Sequence, residues 1–168
     1  KSDQGVRLLA DGWLATGDTA TIDSDGFVEI TGRLSDMITL SSGVKMAPSV
    51  VEACLSEDPL VAQVCVLGQG LSHPIAIIVP EPSEVRKAIR EMGLVVTSRK
   101  AVLKHPRVLR WLARRIRRVQ HSLSPSWRVS HAVLESRAFS PQRLEVTESM
   151  KLRRTVIAKK CESFLIAA

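Results

Sequence analysis

The chain has 168 residues, 45% of them hydrophobic, and a formal net charge of +7. This length suits one domain or one and a half, with enough apolar residues to bury a core. Mean hydropathy is near zero, at +0.07, and no apolar run approaches the ~20 residues of a membrane-spanning helix, which excludes that class. The first residues contain neither an initiator methionine nor an apolar signal core, so we expect a soluble, cytoplasmic protein whose sequence is a fragment of a longer chain.

The cysteines and the distribution of charge further limit the kind of protein that this sequence can encode. Cys54, Cys65 and Cys161 are widely spaced, with no CxxC pair and no Cys/His zinc spacing, so we interpret them as buried reduced thiols. Residues 86–128 contain 13 Lys/Arg and one acidic residue, whereas the remainder of the chain carries a net −5. Such a basic block indicates either an anionic partner or a solvated helix face.

The first predicted elements are short. Alternating residues predict a strand at 26–31, after a turn at 23–26, and a second short strand at 37–40. A loop is predicted at 41–45. The proline that follows favours a helix at 48–55, because proline is well tolerated in the first helical turn.

Longer apolar runs occupy the middle of the chain. Residues 64–67 and 75–79 predict paired central strands, joined through a glycine-containing turn at 68–70. A helix is predicted at 82–91.

The clearest amphipathic helix is predicted at 106–123. Its apolar stripe consists of Val108, Leu109, Leu112, Ile116, Val119 and Leu123. Its other surfaces carry the arginines Arg107, Arg110, Arg114, Arg115, Arg117 and Arg118. Residues 129–139 are expected to be extended, and a C-terminal helix is predicted at 152–166.

These elements predict an α+β fold, in which a small mixed β-sheet is flanked by helices. We expect residues 33–168 to form this small domain. Residues 1–32 are expected to be a short β-rich strip at the edge of another unit, with the boundary at the turn formed by Gly32 and Arg33.

An acidic residue and an arginine have the spacing of a candidate ribose site. Asp18 ends the run 11–18, where we expect the side chain to leave a strand, and Arg33 follows at the next glycine-marked turn. A carboxylate accepts hydrogen bonds from two neighbouring hydroxyls, and a guanidinium adds a planar fork of donors. The alternatives are a turn acid that caps local amides and an ordinary salt bridge.

Three separated motifs resemble the adenylate-forming acyl-CoA synthetases. They are the run 11–18 with 25–33, the stretch 32–48, and the lysine-containing segment 145–154. The length and ending of the second motif are similar to the long-chain fatty-acid–CoA ligase branch. The resemblance implies ATP-dependent activation of a fatty acid to an acyl-adenylate, followed by transfer of the acyl group to coenzyme A.

The resemblance also implies a domain organisation. Residues 1–32 would be the C-terminal edge of a large adenylation domain, and residues 33–168 would be the small mobile domain, which swings about a hinge between the two steps. The hinge falls on Ser35 and Asp36. Relatives often have Asp or Lys where this chain has Ser35, and a small residue there is compatible with a change of backbone dihedrals.

Site roles follow from the same resemblance. Asp18 and Arg33 would bind the nucleotide, and Lys151 would be the catalytic lysine that reaches the acyl carboxylate and the α-phosphate, where it stabilises charge in the transition state. By composition alone Lys151 is a solvated lysine. The glycine loop that approaches the pantetheine arm of coenzyme A would be Ser42, Gly43 and Val44, whose alternative reading is an ordinary turn.

The implied ligands are ATP and AMP, Mg²⁺ held mainly by the missing large domain, coenzyme A as co-substrate, and a fatty acid. No metal site and no phosphate loop are expected in this chain, so the isolated chain should be inactive. One alternative is a stand-alone, non-catalytic module that uses the basic helix 106–123 for an anionic partner, such as a peripheral membrane surface or the phosphates of coenzyme A. Another stops at the adenylate or passes it to a carrier protein. Nucleic acid is disfavoured because only 4% of the residues are aromatic.

The four histidines complete the list of candidate groups. None has a Ser or Asp partner at a catalytic spacing, so we interpret them as surface or capping residues. They are His73, His105, His121 and His131.

Overall fold

The computed structural model describes residues 7–95 and 98–160 of the chain. These residues form the expected α+β fold: small β-hairpins lead into a three-stranded mixed sheet that is packed against helices. Within the described ranges, no helix is long and apolar enough to cross a bilayer. The predictions for Cys161 and for the helix beyond residue 160 lie outside the described residues.

Two small hairpins come first. β1 (Arg7–Leu8) pairs antiparallel with β2 (Leu14–Ala15), and β3 (Asp18–Ile22) pairs antiparallel with β4 (Val28–Arg33). The strand predicted at 26–31 is β4, which begins two residues later. Its partner β3 was missed, although Thr19, Ala20, Thr21 and Ile22 alternate between polar and apolar side chains.

A third two-stranded sheet precedes the first helix. β5 (Ile38–Thr39) lies within the strand predicted at 37–40 and pairs antiparallel with β6 (Lys45–Met46), so the last residue of the predicted loop 41–45 belongs to a strand. α1 (Pro48–Ser56) begins at its proline, as predicted.

The two apolar runs form adjacent strands of the main sheet. β7 (Val61–Leu67), β8 (Ile75–Pro80) and β9 (His131–Leu134) lie in the order β7-β8-β9, antiparallel and then parallel. β8 is central and buried along its whole length. The prediction of two central strands was wrong for β7, which is an edge strand of this sheet. The extended segment predicted at 129–139 is a strand only at β9.

Three helices connect β8 to its parallel neighbour β9. They are α2 (Pro82–Glu91), the short α3 (Arg99–Val102) and α4 (Pro106–Val119). α2 confirms the helix predicted at 82–91. α3 was not predicted, because four residues are too few for a periodic pattern.

α4 is shorter than the predicted helix 106–123. It ends at Val119 and continues as a 3₁₀ turn at 120–122. The buried side chain of Gln120 donates to the Val129 carbonyl at 3.2 Å and accepts from the Val129 amide at 2.8 Å. This pairing with a later segment favours an early end to the helix, which local periodicity could not reveal.

Of the remaining predictions for the helices and histidines, some were right and others were wrong. Leu109 was assigned to the apolar stripe of the helix, but it is 38% exposed, because it lies at the border of the buried face. His105 caps α4 by accepting a hydrogen bond from the Arg107 amide at 3.2 Å, as expected of a capping histidine. The remaining three histidines are exposed. α5 (Arg154–Lys160) begins two residues after the predicted start at 152.

Helices cover both faces of the three-stranded sheet. Alternate strand residues point to opposite sides. Those on one side join the cluster that contains Val51 of α1 and Leu112 of α4. Those on the other side, including the buried Cys65, join the cluster that contains Ile157 of α5. α4 and α5 therefore lie on opposite sides of one sheet.

A buried ion pair joins α4 to the turn before β7. The Arg115 guanidinium donates to both carboxylate oxygens of Asp58, at 2.9 and 2.6 Å, and Asp58 also accepts from the Leu60 amide at 2.9 Å. Burial alone would raise the pKa of Asp58, but the hydrogen bonds from Arg115 and Leu60 outweigh it and lower the pKa. Arg115 also stacks over the Trp111 ring, 5.2 Å from its centroid.

We expect Asp58→Ala to lower the free energy of unfolding by about 2–4 kcal/mol, because it leaves a half-buried guanidinium without its carboxylate. Urea denaturation followed by circular dichroism measures the change. The matched control is Glu57→Ala, which removes an exposed neighbouring acid and should change stability by less than ~0.5 kcal/mol. Equal effects of the two substitutions would contradict a structural role for the ion pair.

Candidate functional site

The β3–β4 hairpin brings the candidate nucleotide residues together. Asp18 and Arg33 are cross-strand partners, and the Arg33 Nε lies 3.0 Å from an Asp18 carboxylate oxygen. Asp18 begins β3 rather than leaving a strand, which corrects the prediction. The contact is also the ordinary salt bridge that the sequence left open, so nucleotide binding stays a prediction.

The predicted domain boundary is a close contact between β4 and α1. A Cβ atom on Gly32 would lie only 2.8 Å from the Ser49 hydroxyl oxygen, so only glycine fits without displacement. The same hydroxyl donates to the Thr31 carbonyl at 2.5 Å. The residues just before the predicted hinge are thus tied to the helix that follows it.

The hinge residues lie beside the candidate catalytic lysine. Ser35 and Asp36 belong to a 3₁₀ turn at 34–36, where the Ser35 hydroxyl donates to the Asp36 carboxylate at 3.3 Å. The other Asp36 oxygen lies 3.8 Å from the Lys151 Nζ. Sequence reasoning missed this contact, because more than a hundred residues separate its two partners.

Lys151 is presented at the tip of a closed turn. Its amide donates to the Thr147 hydroxyl at 3.0 Å, and its carbonyl accepts from the Thr147 amide at 2.9 Å. Met150 adopts a positive φ of 62°, and Val146 and Leu152 form a β-bridge at the base of the turn. The Lys151 side chain is 58% exposed, so its ammonium group is free to change partners.

A buried carboxylate anchors the segment that carries this lysine. Glu52 of α1 accepts from the Val66 amide of β7 at 2.8 Å, and its other oxygen lies 2.6 Å from Arg154 Nη2. Burial raises the pKa of Glu52, against the opposing effects of Arg154 and the Val66 amide; the nearby Asp36 adds to the rise. Sequence reasoning missed Glu52, although a single acid among the apolar residues of α1 was an available signal.

A second carboxylate organises the other side of the lysine turn. Glu145 is held by Arg143 Nη2 at 2.6 Å and by Lys160 Nζ at 3.0 Å, and it also accepts from the Ser140 amide. Burial opposes ionisation, but the hydrogen bonds from Arg143 and Lys160 outweigh it and lower the pKa of Glu145. The main-chain carbonyl of Glu145 also accepts from the Arg153 amide at 2.8 Å, so the backbone of Glu145 is paired with the segment that follows Lys151.

The predicted coenzyme A loop is a surface turn. Ser42 and Gly43 are exposed and Val44 is half-buried. Gly43 has a positive φ of 81°, and an added Cβ would meet nothing within 4 Å. Within the described part of the chain, no hydrogen bond or ion pair joins this loop to Lys151, so its role stays a prediction.

The described residues contain no group of three or more His, Cys, Asp and Glu side chains that could hold a metal ion.

Comparison with known proteins places this geometry in a family. A family model described as AMP-binding enzyme C-terminal domain matches residues 35–165. The long-chain-fatty-acid–CoA ligase FadD15 of Mycobacterium tuberculosis is 30% identical over 160 residues, which cover 94% of this chain and 26% of that protein. The medium/long-chain-fatty-acid–CoA ligase FadD8 of the same organism is 50% identical over 66 residues, 39% of this chain and 11% of that protein.

Solved structures agree with the fold. The adenylation domain of a carboxylate reductase from Mycobacterium chelonae matches 95% of this chain and 23% of that chain, with a TM-score of 0.72 and 22% identity. The A domain of the carboxylic acid reductase from Segniliparus rugosus, in complex with AMP and a co-purified carboxylic acid, matches 95% of this chain and 24% of that chain, with a TM-score of 0.71 and 22% identity. This chain spans about a quarter of the length of FadD15 and of each of these structures.

The titration of Glu52 gives a test of its burial. Because burial raises its pKa above 4.5, the folded protein holds this proton more tightly than the unfolded chain. The stability that Glu52 contributes is therefore present below the unfolded pKa and is lost as pH rises through the folded pKa. Between about pH 4 and pH 7, we expect the free energy of unfolding of the wild type to fall relative to that of Glu52→Gln.

Urea denaturation of both proteins at the two pH values measures this difference. Glu57→Gln, at an exposed acid just after the same helix, is the matched control. An equal pH-dependent difference in the control, or a change of opposite sign in Glu52→Gln, would show that buried Glu52 is not its source.

Proposed function

The chain belongs to the AMP-binding enzyme C-terminal domain family, and we propose that it is the C-terminal part of a long-chain fatty-acid–CoA ligase. The complete enzyme would activate a fatty acid with ATP to an acyl-adenylate and then transfer the acyl group to coenzyme A. The fatty-acid–CoA ligases among its relatives support this chemistry. The single structural observation that carries the proposal is the closed turn that presents Lys151 beside the predicted hinge at Asp36.

An exposed apolar strip supports a large partner domain. Nine of the thirteen exposed large hydrophobic side chains in the described residues lie between residues 8 and 34, among them Trp13 at 71% and Phe27 at 74% exposure. A concentration of exposed large apolar side chains in one segment is typical of an interface. We infer that an adenylation domain covers this strip, and that residues 1–32 belong to that domain while 33–168 form the small one.

The positions of the predicted site residues suit different steps of the proposed reaction. Asp18 and Arg33 would hold the ribose at the edge of the large domain. Lys151 would leave Asp36 and place its ammonium between the acyl carboxylate and the α-phosphate, where negative charge develops in the transition state. An exposed pair at 3.8 Å is weak, so this exchange costs little.

The hinge movement has a structural consequence. Thr31 precedes the predicted hinge at Ser35 and Ser49 follows it, so a rotation there must break the hydrogen bond between them. The conformation described here would then be one pose of the domain, in which the hydrogen bond between Ser49 and Thr31 and the close packing at Gly32 join the two sides of the hinge. In the other pose, Gly43 and its neighbours would approach the pantetheine arm of coenzyme A. Mg²⁺ would be held by the ATP phosphates and by the large domain.

A second candidate is a non-catalytic module that binds an anionic partner through the basic segment 106–123. The exposed arginines of α4 favour it. The two candidates differ in their dependence on Lys151, because binding through the basic segment does not require the Lys151 ammonium group.

We expect Lys151→Ala, in an enzyme completed with a large adenylation domain, to lower the rate of acyl-adenylate formation by a factor on the order of 10²–10³. Thioester formation from pre-made acyl-adenylate should survive, because Lys151 is proposed to act only in the first step. Pyrophosphate release and acyl-CoA production measure the two steps separately.

Lys159→Ala is the matched control, since it removes an exposed lysine of α5 that forms no ion pair within the described residues. It should leave both rates unchanged. Equal loss of both steps in Lys151→Ala would contradict the assigned role, and full activity would favour the non-catalytic module.

A further inference from the structure

The outward face of α4 carries a continuous stripe of arginines. Arg107, Arg110, Arg114, Arg117 and Arg118 are all exposed. At about 100° per residue they fall within an arc of roughly 100°, and the stripe runs for about 16 Å along the axis. The centre of this arc is opposite the buried residues of the helix, so the five guanidinium groups face solvent together.

These arginines form no ion pairs among the described residues. α4 contains no acidic residue, and none of the five forms an ion pair within residues 7–95 and 98–160. Arg115 is the informative contrast: it turns inward and takes both nearby acids, Asp58 at 2.6 Å and Glu84 at 3.5 Å. Both acids are thus ion-paired with Arg115, and within the stripe Arg118 lies close enough to Asp58 to help lower the pKa of that carboxyl.

The borders of the stripe indicate which polyanion it fits. On one side lie Leu109, 38% exposed, and the exposed Ala113; on the other, Trp111 is half-buried and stacks with Arg115. Arginines can bind nucleic-acid phosphates and base edges as well as lipid headgroups, but this face has no fully exposed aromatic ring on which a base could stack. A flat array of phosphates above a hydrocarbon layer suits both the single straight stripe and its apolar border.

We propose that α4 docks the protein on an anionic lipid bilayer, with the five arginines on headgroup phosphates and Leu109 toward the acyl region. The contact is electrostatic, because the apolar face of α4 is committed to the core. It is independent of the proposed catalytic function: a variant without Lys151 would bind equally well.

The test is co-sedimentation of the whole chain with phosphatidylcholine vesicles, with and without about one-third phosphatidylglycerol. We expect binding only to the anionic vesicles, and its loss when salt is raised from about 0.05 to 0.5 M. The variant R110Q/R114Q/R117Q should lower the partition coefficient on the order of tenfold to a hundredfold. R110K/R114K/R117K, which keeps the charge, should bind within a few-fold of the wild type and serves as a second reading if the glutamine variant unfolds.

The charge-matched control is K45Q/R153Q/K159Q, which removes three exposed basic residues from β6 and from the region of α5. Its binding should stay close to that of the wild type. Equal binding to neutral vesicles, or an equal loss in the control, would overturn the proposal. Stripe-dependent binding to duplex DNA or to RNA that is tighter than binding to vesicles would assign the face to nucleic acid and would also overturn it.

Discussion

The buried carboxylate of Glu52 is the constraint on which the arrangement of this domain depends. It comes from α1, which packs on one face of the sheet, yet it bonds the edge-strand amide of Val66 and reaches Arg154 at the start of α5, which packs on the other face. One side chain thus joins two layers around the open edge of the sheet. Burying a carboxylate is costly, and the raised pKa of Glu52 is the sign of that cost. The gain is geometric, because Arg154 follows Lys151 by only three residues.

This anchor holds the segments that flank an exposed lysine. Glu52 on one side and Glu145 on the other hold the chain that leads into and out of the lysine turn. Between them Lys151 is exposed and meets only a long, solvated contact with Asp36. A side chain that acts in one pose of a domain and withdraws in the other needs both a weak ion pair and a well-anchored backbone. A tightly bound ammonium group would resist leaving its partner. A poorly anchored backbone would not place the ammonium group at the same position in each cycle.

Sequence reasoning succeeded where the signal is local. Proline at the start of α1 and α2 and the apolar runs of β7 and β8 predicted elements whose type the structure confirms. It failed where a residue distant in sequence determines the local structure. α4 ends early where Gln120 hydrogen-bonds to Val129. The partners of Glu52 and Glu145 could not be predicted from periodicity either. The candidate site follows the same division. Asp18, Arg33 and Lys151 were located by motif, but the proximity of Lys151 to Asp36 required the fold.

The separation of α4 from α5 relates the two proposals to each other. Both helices pack against one sheet, so a bilayer bound along α4 would leave the face that carries α5 free for the large domain. Because the predicted hinge at Ser35 precedes the whole sheet, any swing of Lys151 carries the arginine stripe with it. A domain bound to a bilayer by several exposed, salt-sensitive ionic contacts can still change its orientation on the bilayer surface. A domain bound by an inserted apolar helix could not. Because the apolar face of α4 is committed to the core, the proposed contact rests on the arginines and on Leu109 at their border, which is a form of membrane contact compatible with the proposed domain alternation.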